Sequence, residues 1–239
     1  LCAAITDIAQ CQKEPAATRR VNVENTLILA RRLVDAGVFT VFLSSNTVFD
    51  GRTAFEKGDA PSHPEIEYGR QKAEVEQQLL GLGDRVAVVR MAKILAPNAP
   101  LMAGWIRGLR SGIPVHPFVE GVFAPVSVAY AVELLGRVAR CRMSGITQIS
   151  ADEDITYVVA ARYIAAKVGT GDELVQPVSK ATSGVQDFPK HTTLDSSRVG
   201  ELGLAVPSPF AALDQLDFTP DLHQPDQHGS TSGVGPGRA

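Results

Sequence analysis

Short β-rich runs alternate with longer helical stretches along this chain, and no other sequence feature restricts its fold as strongly. The runs at 39–43, 86–89 and 146–149 are too short for helices and consist largely of β-branched, aromatic and other apolar residues. Such runs are typical of strands buried in a parallel sheet. A further strand is expected at 174–178. Strands that alternate with helices predict an α/β fold with a parallel sheet.

Helical stretches occupy much of the remaining sequence. The first shows apolar residues at three- and four-residue steps and is expected to stop at Gly37. Helices are predicted over 14–37, 65–82, 101–109, 126–140 and 155–168. The segment 221–239 has almost no apolar side chains, so it is predicted to be a disordered tail.

The composition is that of a globular protein, because 44% of the 239 residues are apolar and 21% are charged. The net charge of −3 comes without any basic block, so we expect no nucleic-acid partner. No unbroken apolar run approaches the length of a membrane span, so we expect no membrane association. Composition therefore excludes fibrous, membrane-spanning and nucleic-acid-binding classes.

The cysteines and histidines give no sign of a metal. Cys2, Cys11 and Cys141 lie at no metal-ligand or redox-motif spacing. Since the N-terminus carries no secretory signal, they are expected to be reduced thiols of a cytoplasmic protein. The five histidines are scattered and none pairs with Cys, Asp or Glu at ligand spacing, so we predict no metal site.

Tyr68 and Lys72 are the first candidates for chemistry. They are four residues apart on a predicted helix and therefore share one face. A Lys ammonium close to a phenol favours the phenolate, so we expect the pKa of Tyr68 to fall below its usual value of about 10. Such a Tyr can donate a proton to a carbonyl oxygen near neutral pH. Taken alone, the pair also fits an ordinary exposed pair on an amphipathic helix.

Three further polar residues accompany this pair. Ser45 follows a predicted parallel strand, where open α/β sheets bind ligands, although a Ser at this position can also simply cap the loop. Asn22 lies inside a predicted helix, either on the surface or in a buried polar role. Arg90 ends another strand and is expected to pair with a carboxylate or a phosphate.

In this order, these pieces resemble the extended short-chain dehydrogenase/reductase family, and within it the branch of dTDP-4-dehydrorhamnose reductase-like sugar-nucleotide reductases. The resemblance covers about residues 1–216. The segments that carry it are CAAITDIAQCQKEPAATRRVNVENT, VFLSSNTVFDG, YGRQKAEVEQ, VAVVRMAKILAP and FPKHTTLDSSRVGELGL.

The resemblance implies a catalytic trio. Ser45 matches the hydroxyl that polarises the substrate carbonyl, and Tyr68 matches the general acid. Lys72 matches the residue that holds the nicotinamide ribose and lowers the pKa of the Tyr. Asn22 matches the helix Asn that supports the Lys through water. The implied reaction is hydride transfer from NADP or NAD to a keto-sugar nucleotide.

The resemblance also implies two binding sets. The cofactor would lie against Ala3, Ala4, Thr6, Asn22, Tyr68, Lys72 and Met91. The nucleotide-sugar substrate would contact Ser45, Asn46, Thr47 and Lys93.

The family's glycine-rich turn, which follows its first strand, has no counterpart here. We therefore expect an incomplete Rossmann-type sheet without its N-terminal strands, and a small C-terminal substrate-binding part. Residues 1–95 would be the remaining half of the NAD(P)-binding domain. Residues 96–220 would bind mainly substrate, with some segments returning to the sheet. The first residue is Leu1 rather than Met, which fits a removed start or a fragment of a longer chain.

Two functions remain open at this point. The first is a sugar-nucleotide reductase, which the presence of the whole trio favours. The alternative is a non-catalytic regulatory or sugar-nucleotide-binding protein on a truncated reductase fold. A homodimer or a regulatory protein partner is compatible with this family.

Overall fold

The computed structural model describes residues 1–180 and 188–219. The strands are β1 (Thr40–Ser45), β2 (Val86–Met91), β3 (Ile94–Leu95), β4 (Val122–Phe123), β5 (Val126–Ser127), β6 (Gly145–Ile149) and β7 (Ile155–Thr156). The α-helices are α1 (Ile8–Lys13), α2 (Pro15–Arg19), α3 (Thr26–Asp35), α4 (Glu67–Leu80), α5 (Pro100–Arg110), α6 (Val128–Cys141), α7 (Tyr157–Val168) and α8 (Pro209–Leu213). The tail predicted to be disordered, 221–239, lies outside the described residues. None of the helices in the described ranges is long and apolar enough to cross a membrane.

The central sheet is parallel. Its strands lie in the order β1–β2–β6, with Ser45 of β1 opposite Met91 of β2 and Met91 opposite Ile149 of β6. The three carboxyl ends therefore meet at one edge. The strand predictions at 39–43, 86–89 and 146–149 are confirmed, as is the α/β fold with an incomplete Rossmann-type sheet.

The beginning of the chain lies along the other side of β1. The Leu1 ammonium donates to the carbonyl of Val41 at 2.5 Å, and the N–H of Leu43 donates to the carbonyl of Leu1 at 3.3 Å. This is the pattern of a parallel pair. It carries Ala3 and Ala4 towards the carboxyl end of β1.

Apolar side chains cover both faces of the sheet. One face packs against α3 and α4 through Val23, Leu27, Ala30, Phe42, Val75, Leu79, Val86 and Val88. The other face packs against α6 and the 3-10 turn Ser197–Leu202 through Ala87, Val89, Val126, Leu134, Val138, Ile149, Val199 and Leu202. A separate apolar cluster joins α5 and α7 in the C-terminal part. Strand residues alternate between the two faces, so Arg90 shares the α4 face with Val88 and Val86.

The strand expected at 174–178 is wrong. Val175 and Val178 form only isolated bridges, to Val115 and Phe118. Proline explains the interruption, because Pro117 and Pro177 have no N–H to donate to a ladder.

Three helix predictions need correction at their ends or in their interior. The helices expected over 126–140 and 155–168 begin two residues later, because their first two residues form β5 and β7. The hydroxyls of Ser127 and Thr156 then accept from the first-turn N–H groups and so cap α6 and α7. The helix expected over 14–37 contains a π-helical segment, Arg20–Asn25, between α2 and α3.

Arg90 pairs with a carboxylate. Its guanidinium donates to both Glu76 oxygens, at 2.7 to 3.1 Å, and both side chains are almost completely buried. Its remaining N–H groups donate to the carbonyl of Gly58 and to Gln148 Oε1. The pair therefore fastens α4 to β2 and holds the loop around Gly58 against the sheet.

Replacing Glu76 with Ala is expected to lower the free energy of unfolding by about 3–5 kcal/mol, because Arg90 would remain as a buried, uncompensated charge. Urea unfolding measures the loss. The matched control is Glu133→Ala, which removes the half-exposed partner of Arg137 and should cost about 1 kcal/mol or less. Equal losses in the two variants would contradict the structural role of the buried pair.

Candidate active site

Ser45 occupies the carboxyl end of β1, where its half-buried hydroxyl caps the 3-10 turn Asn46–Val48. Its Oγ accepts from the N–H and the hydroxyl of Thr47, at 3.2 and 3.1 Å. It donates to Asn46 Oδ1 over 3.4 Å. The loop-capping interpretation is thus confirmed. A donated bond of this length is weak, so the hydroxyl hydrogen can turn to a ligand at little cost.

Helix α4 begins against this turn. A Cβ built on Gly69 would overlap the carbonyl oxygen of Thr47 and would lie 3.1 Å from the Cβ of Pro64. Only a residue without a side chain allows this approach. Since Tyr68 precedes Gly69, the contact brings the first turn of α4, with Tyr68, close to the turn that follows Ser45.

Lys72 lies one helical turn after Tyr68 and is only 6% exposed. Its Nζ donates to the carbonyl of Leu43 at 2.7 Å and lies 4.6 Å from the ring centroid of Phe42. The ring centroid of Tyr68 is 5.6 Å away. Burial lowers the pKa of Lys72 from 10.5 to about 8, against the opposing influence of the Glu76 charge.

The expected fall in the pKa of Tyr68 is wrong. Burial, with a smaller contribution from Cys11, raises the pKa of Tyr68 from 10.0 to about 12. The Lys72 ammonium lies near the ring but donates its hydrogen bond to a strand carbonyl. The Tyr68 phenol therefore keeps its proton throughout the neutral range.

Asn22 is buried and lies in the π-helical segment. Its Oδ1 accepts from the N–H of Ile5 at 2.8 Å, and its Nδ2 donates to the carbonyl of Ile5 at 3.0 Å and to Gln71 Oε1 at 2.8 Å. The buried role is confirmed over the surface one. The partners are a backbone segment and Gln71, whereas the resemblance implied the Lys side.

The remaining predicted residues are distributed around this edge of the sheet. Ala3 and Thr6 are exposed and Ala4 is half-buried, beside the end of β1. Met91 ends β2 and is half-buried against the α6 side. Lys93 is exposed between β2 and β3.

Sequence reasoning missed Ser44. This hydroxyl is buried and, among the described residues, is the one buried side-chain oxygen or nitrogen without a hydrogen-bond partner. It lies opposite Arg90, which lies opposite Gln148, so the three form a polar row across the sheet. The doublet Ser44-Ser45 was visible in the sequence, but strand alternation places the two hydroxyls on opposite faces.

Gln71 and Glu76 were missed as well. Both are buried polar residues of α4. Gln71 lies three residues after Tyr68, and Glu76 lies four residues after Lys72. That spacing was the available signal, and it required knowing which face of α4 is buried.

The arrangement fits one end of a nicotinamide cofactor. The buried Lys72 ammonium lies 5.6 Å from the Tyr68 ring centroid, and the small residues Ala3 and Thr6 beside the end of β1 are exposed. A pyrophosphate needs backbone N–H groups at a glycine-rich strand-to-helix turn, and residues 1–180 and 188–219 contain none. The same residues contain no group of three or more His, Cys, Asp and Glu that could hold a metal ion.

Comparison with known proteins identifies the family of this chain. The family model of the RmlD substrate binding domain matches residues 1–215. The chain therefore belongs to the RmlD substrate binding domain family.

Among curated proteins, the chain is 25% identical over 217 residues to the probable low-salt glycan biosynthesis reductase Agl14 of Haloferax volcanii, covering 87% of this chain and 72% of that protein. It is 24% identical over 222 residues to the methionine adenosyltransferase 2 subunit beta of Xenopus laevis, covering 85% of this chain and 64% of that protein. The chain thus spans just under two thirds of the adenosyltransferase subunit.

Solved structures agree on the fold. The dTDP-4-dehydrorhamnose reductase of Bacillus anthracis, in complex with NADP, superposes with a TM-score of 0.81 at 21% identity over 90% of this chain and 76% of that one. The dTDP-4-dehydrorhamnose reductase of Yersinia enterocolitica superposes with a TM-score of 0.79 at 19% identity over 91% of this chain and 79% of that one. At these identities the likeness establishes the fold alone.

Replacing Gly69 with Ala is expected to lower the free energy of unfolding by about 1–3 kcal/mol, because the added methyl group overlaps the Thr47 carbonyl. Thermal or urea unfolding measures the change. The control is Gly104→Ala in α5, where a Cβ meets nothing within 4 Å and the change should stabilise by up to about 1 kcal/mol. A neutral or stabilising Gly69→Ala would disprove the close approach.

Replacing Lys72 with Met tests the buried charge through its pH dependence. The pKa of Lys72 is about 8 in the fold against 10.5 for the ordinary side chain, so its ammonium costs stability below pH 8. As the pH rises from about 8 towards 10.5, the folded protein loses the proton first and the cost declines. Wild type should therefore gain stability relative to Lys72→Met as the pH rises from about 7 to 9.5. Urea unfolding at several pH values measures this, and a constant difference would refute the buried charge.

Proposed function

We propose that this chain carries the catalytic residues of an NAD(P)-dependent reductase that reduces the keto group of a nucleotide sugar. The observation that carries the proposal is the contact between Gly69 and Thr47, since it brings Tyr68 and Lys72 to the strand end that holds Ser45. The family membership and the reductase fold support the same reaction class.

Each residue of the trio has a distinct task. Tyr68 holds the proton that the carbonyl oxygen of the substrate receives. The Ser45 hydroxyl turns from Asn46 to donate a hydrogen bond to the same oxygen. Lys72 supplies the positive charge that stabilises the phenolate left behind, because its ammonium lies 5.6 Å from the Tyr68 ring centroid.

The reduced nicotinamide, when bound, supplies the hydride that reaches the carbonyl carbon. Proton and hydride together convert the ketone to a secondary alcohol. Ala3, Ala4, Thr6, Asn22, Tyr68, Lys72 and Met91 are proposed to face NADP or NAD.

Asn46, Thr47 and Lys93 are proposed to contact the nucleotide sugar together with Ser45. The exposed Lys93 ammonium has the charge to meet a diphosphate. In the domain proposal, residues 1–95 hold the cofactor half and 96–220 mainly the substrate. The free thiols of Cys2, Cys11 and Cys141 agree with a reducing cytoplasm, and a homodimer is the proposed assembly.

A partner-regulating role is the second candidate function. The similarity to methionine adenosyltransferase 2 subunit beta favours it. It requires no turnover and a stable complex with another protein, whereas the reductase requires the trio. Size-exclusion chromatography of the natural protein, followed by a reductase assay on each peak, distinguishes the two.

Replacing Tyr68 with Phe in the natural protein is expected to lower kcat by about 100-fold or more, since the proton donor is lost. Turnover is followed by NAD(P)H absorbance with keto-sugar nucleotides, and cofactor affinity by its fluorescence, which should change little. Tyr130→Phe is the control, because Tyr130 lies on α6 outside the trio and its hydroxyl donates to the carbonyl of Ala205 at 2.8 Å. Unchanged turnover in Tyr68→Phe would rule out the proposed chemistry.

A further inference from the structure

Gln71 uses every hydrogen-bonding atom of its side chain inside the protein. It lies on α4 between Tyr68 and Lys72 and is 1% exposed. Its Oε1 accepts from Asn22 Nδ2 at 2.8 Å, and its Nε2 donates to Thr18 Oγ1 at 2.9 Å. A longer bond of 3.2 Å joins Nε2 to Glu67 Oε1. Gln71 therefore connects α4 to both α2 and the π-helical segment.

Asn22 links Gln71 to the start of the chain through its hydrogen bonds with Ile5. Its amide binds both polar groups of Ile5, as a neighbouring strand would, and so fixes the backbone between Ala4 and Thr6. Asn22 reaches Ile5 from the π-helical segment, and such segments occur frequently at functional sites.

Cys11 closes the same cluster. Its thiol is fully buried, donates to the carbonyl of Ile5 at 3.5 Å and lies 3.9 Å from Asn22 Nδ2. The Cys11 sulfur therefore contacts both partners of the Asn22–Ile5 connection.

We propose that Gln71 is a positioning residue that acts through Asn22 to hold the segment Ala3–Thr6 in place beside Tyr68 and Lys72. Its amide matches the task because one end must accept from Asn22 while the other donates to Thr18. No apolar or charged side chain of this size supplies both. The inference rests on the proposed function for what the segment holds, namely the cofactor, but the connection itself is a property of the fold.

The experiment uses the full chain with Cys2→Ser and Cys141→Ser, which removes the two exposed thiols and leaves Cys11 as the reporter. The rate at which Cys11 reacts with Ellman's reagent measures the local opening of this region. Gln71→Leu keeps the approximate side-chain volume but removes the hydrogen bonds that Gln71 makes with the Asn22 amide and the Thr18 hydroxyl. We expect the rate to rise about tenfold or more.

The control is Gln78→Leu, a residue of the same type on the same helix. Gln78 lies two turns further along α4, where its Oε1 accepts from Arg31 of α3 at 2.9 Å. Gln78→Leu should leave the Cys11 rate unchanged. Urea unfolding of both variants shows whether a rate change follows global stability or the local connection.

A double-mutant cycle with Asn22→Ala tests whether Gln71 acts through Asn22. The two single variants should each raise the rate, and the double variant should react no faster than Asn22→Ala alone. Multiplied effects, an unchanged rate in Gln71→Leu, or a rise that global unfolding accounts for would overturn the proposal. These readouts need no turnover, so they remain decisive even if the reductase assay fails. If the reductase is active, Gln71→Leu should raise the KM for NAD(P)H more than it lowers kcat, and Gln78→Leu should change neither.

Discussion

The close approach of helix α4 to strand β1 is the constraint on which the rest of the site depends. Gly69 allows the first turn of the helix to touch the Thr47 carbonyl. One turn later the Lys72 ammonium donates to the Leu43 carbonyl, and a further turn along Glu76 forms the buried ion pair with Arg90. A steric contact, a charge-assisted hydrogen bond and an ion pair thus fasten the same helix face to neighbouring strands. These three contacts together fix the position of Tyr68 on the helix.

Burial in this arrangement disfavours the charged forms of Lys72 and Tyr68, and the proposed chemistry depends on both effects. Burial lowers the pKa of Lys72 to about 8 and raises the pKa of Tyr68 to about 12. Both shifts disfavour the charged forms. The phenol therefore keeps its proton at neutral pH. In the proposed reaction, the nearby ammonium stabilises the negative charge that develops on the Tyr oxygen. Such separated pKa values are typical of sites that divide acid and electrostatic roles between two residues.

The sequence was sufficient for the parallel α/β architecture, because strand length and helix period are local features. The candidate trio came from the resemblance to a family, since the spacing of Tyr68 and Lys72 alone also fitted an ordinary exposed pair. Local patterns could not show that burial would reverse the expected pKa shift of Tyr68. They could not choose Glu76 over a phosphate as the partner of Arg90, since the two residues lie on different elements. Gln71 stayed hidden for the same reason: its partners Thr18 and Asn22 are far from it in the chain. The prediction of a strand at 174–178 was wrong because it relied on the apolar residues of that segment and neglected the prolines that interrupt its hydrogen bonding.

The most direct test of the account is to follow the hydride itself. The natural protein is incubated with NADPH or NADH deuterated at the transferring position of the nicotinamide, together with a keto-sugar nucleotide, and the product is examined by mass spectrometry and NMR. The account predicts that deuterium appears on the former carbonyl carbon, one atom for each cofactor oxidised. An unreacted keto sugar, or a reduced product without deuterium at that carbon, would contradict it.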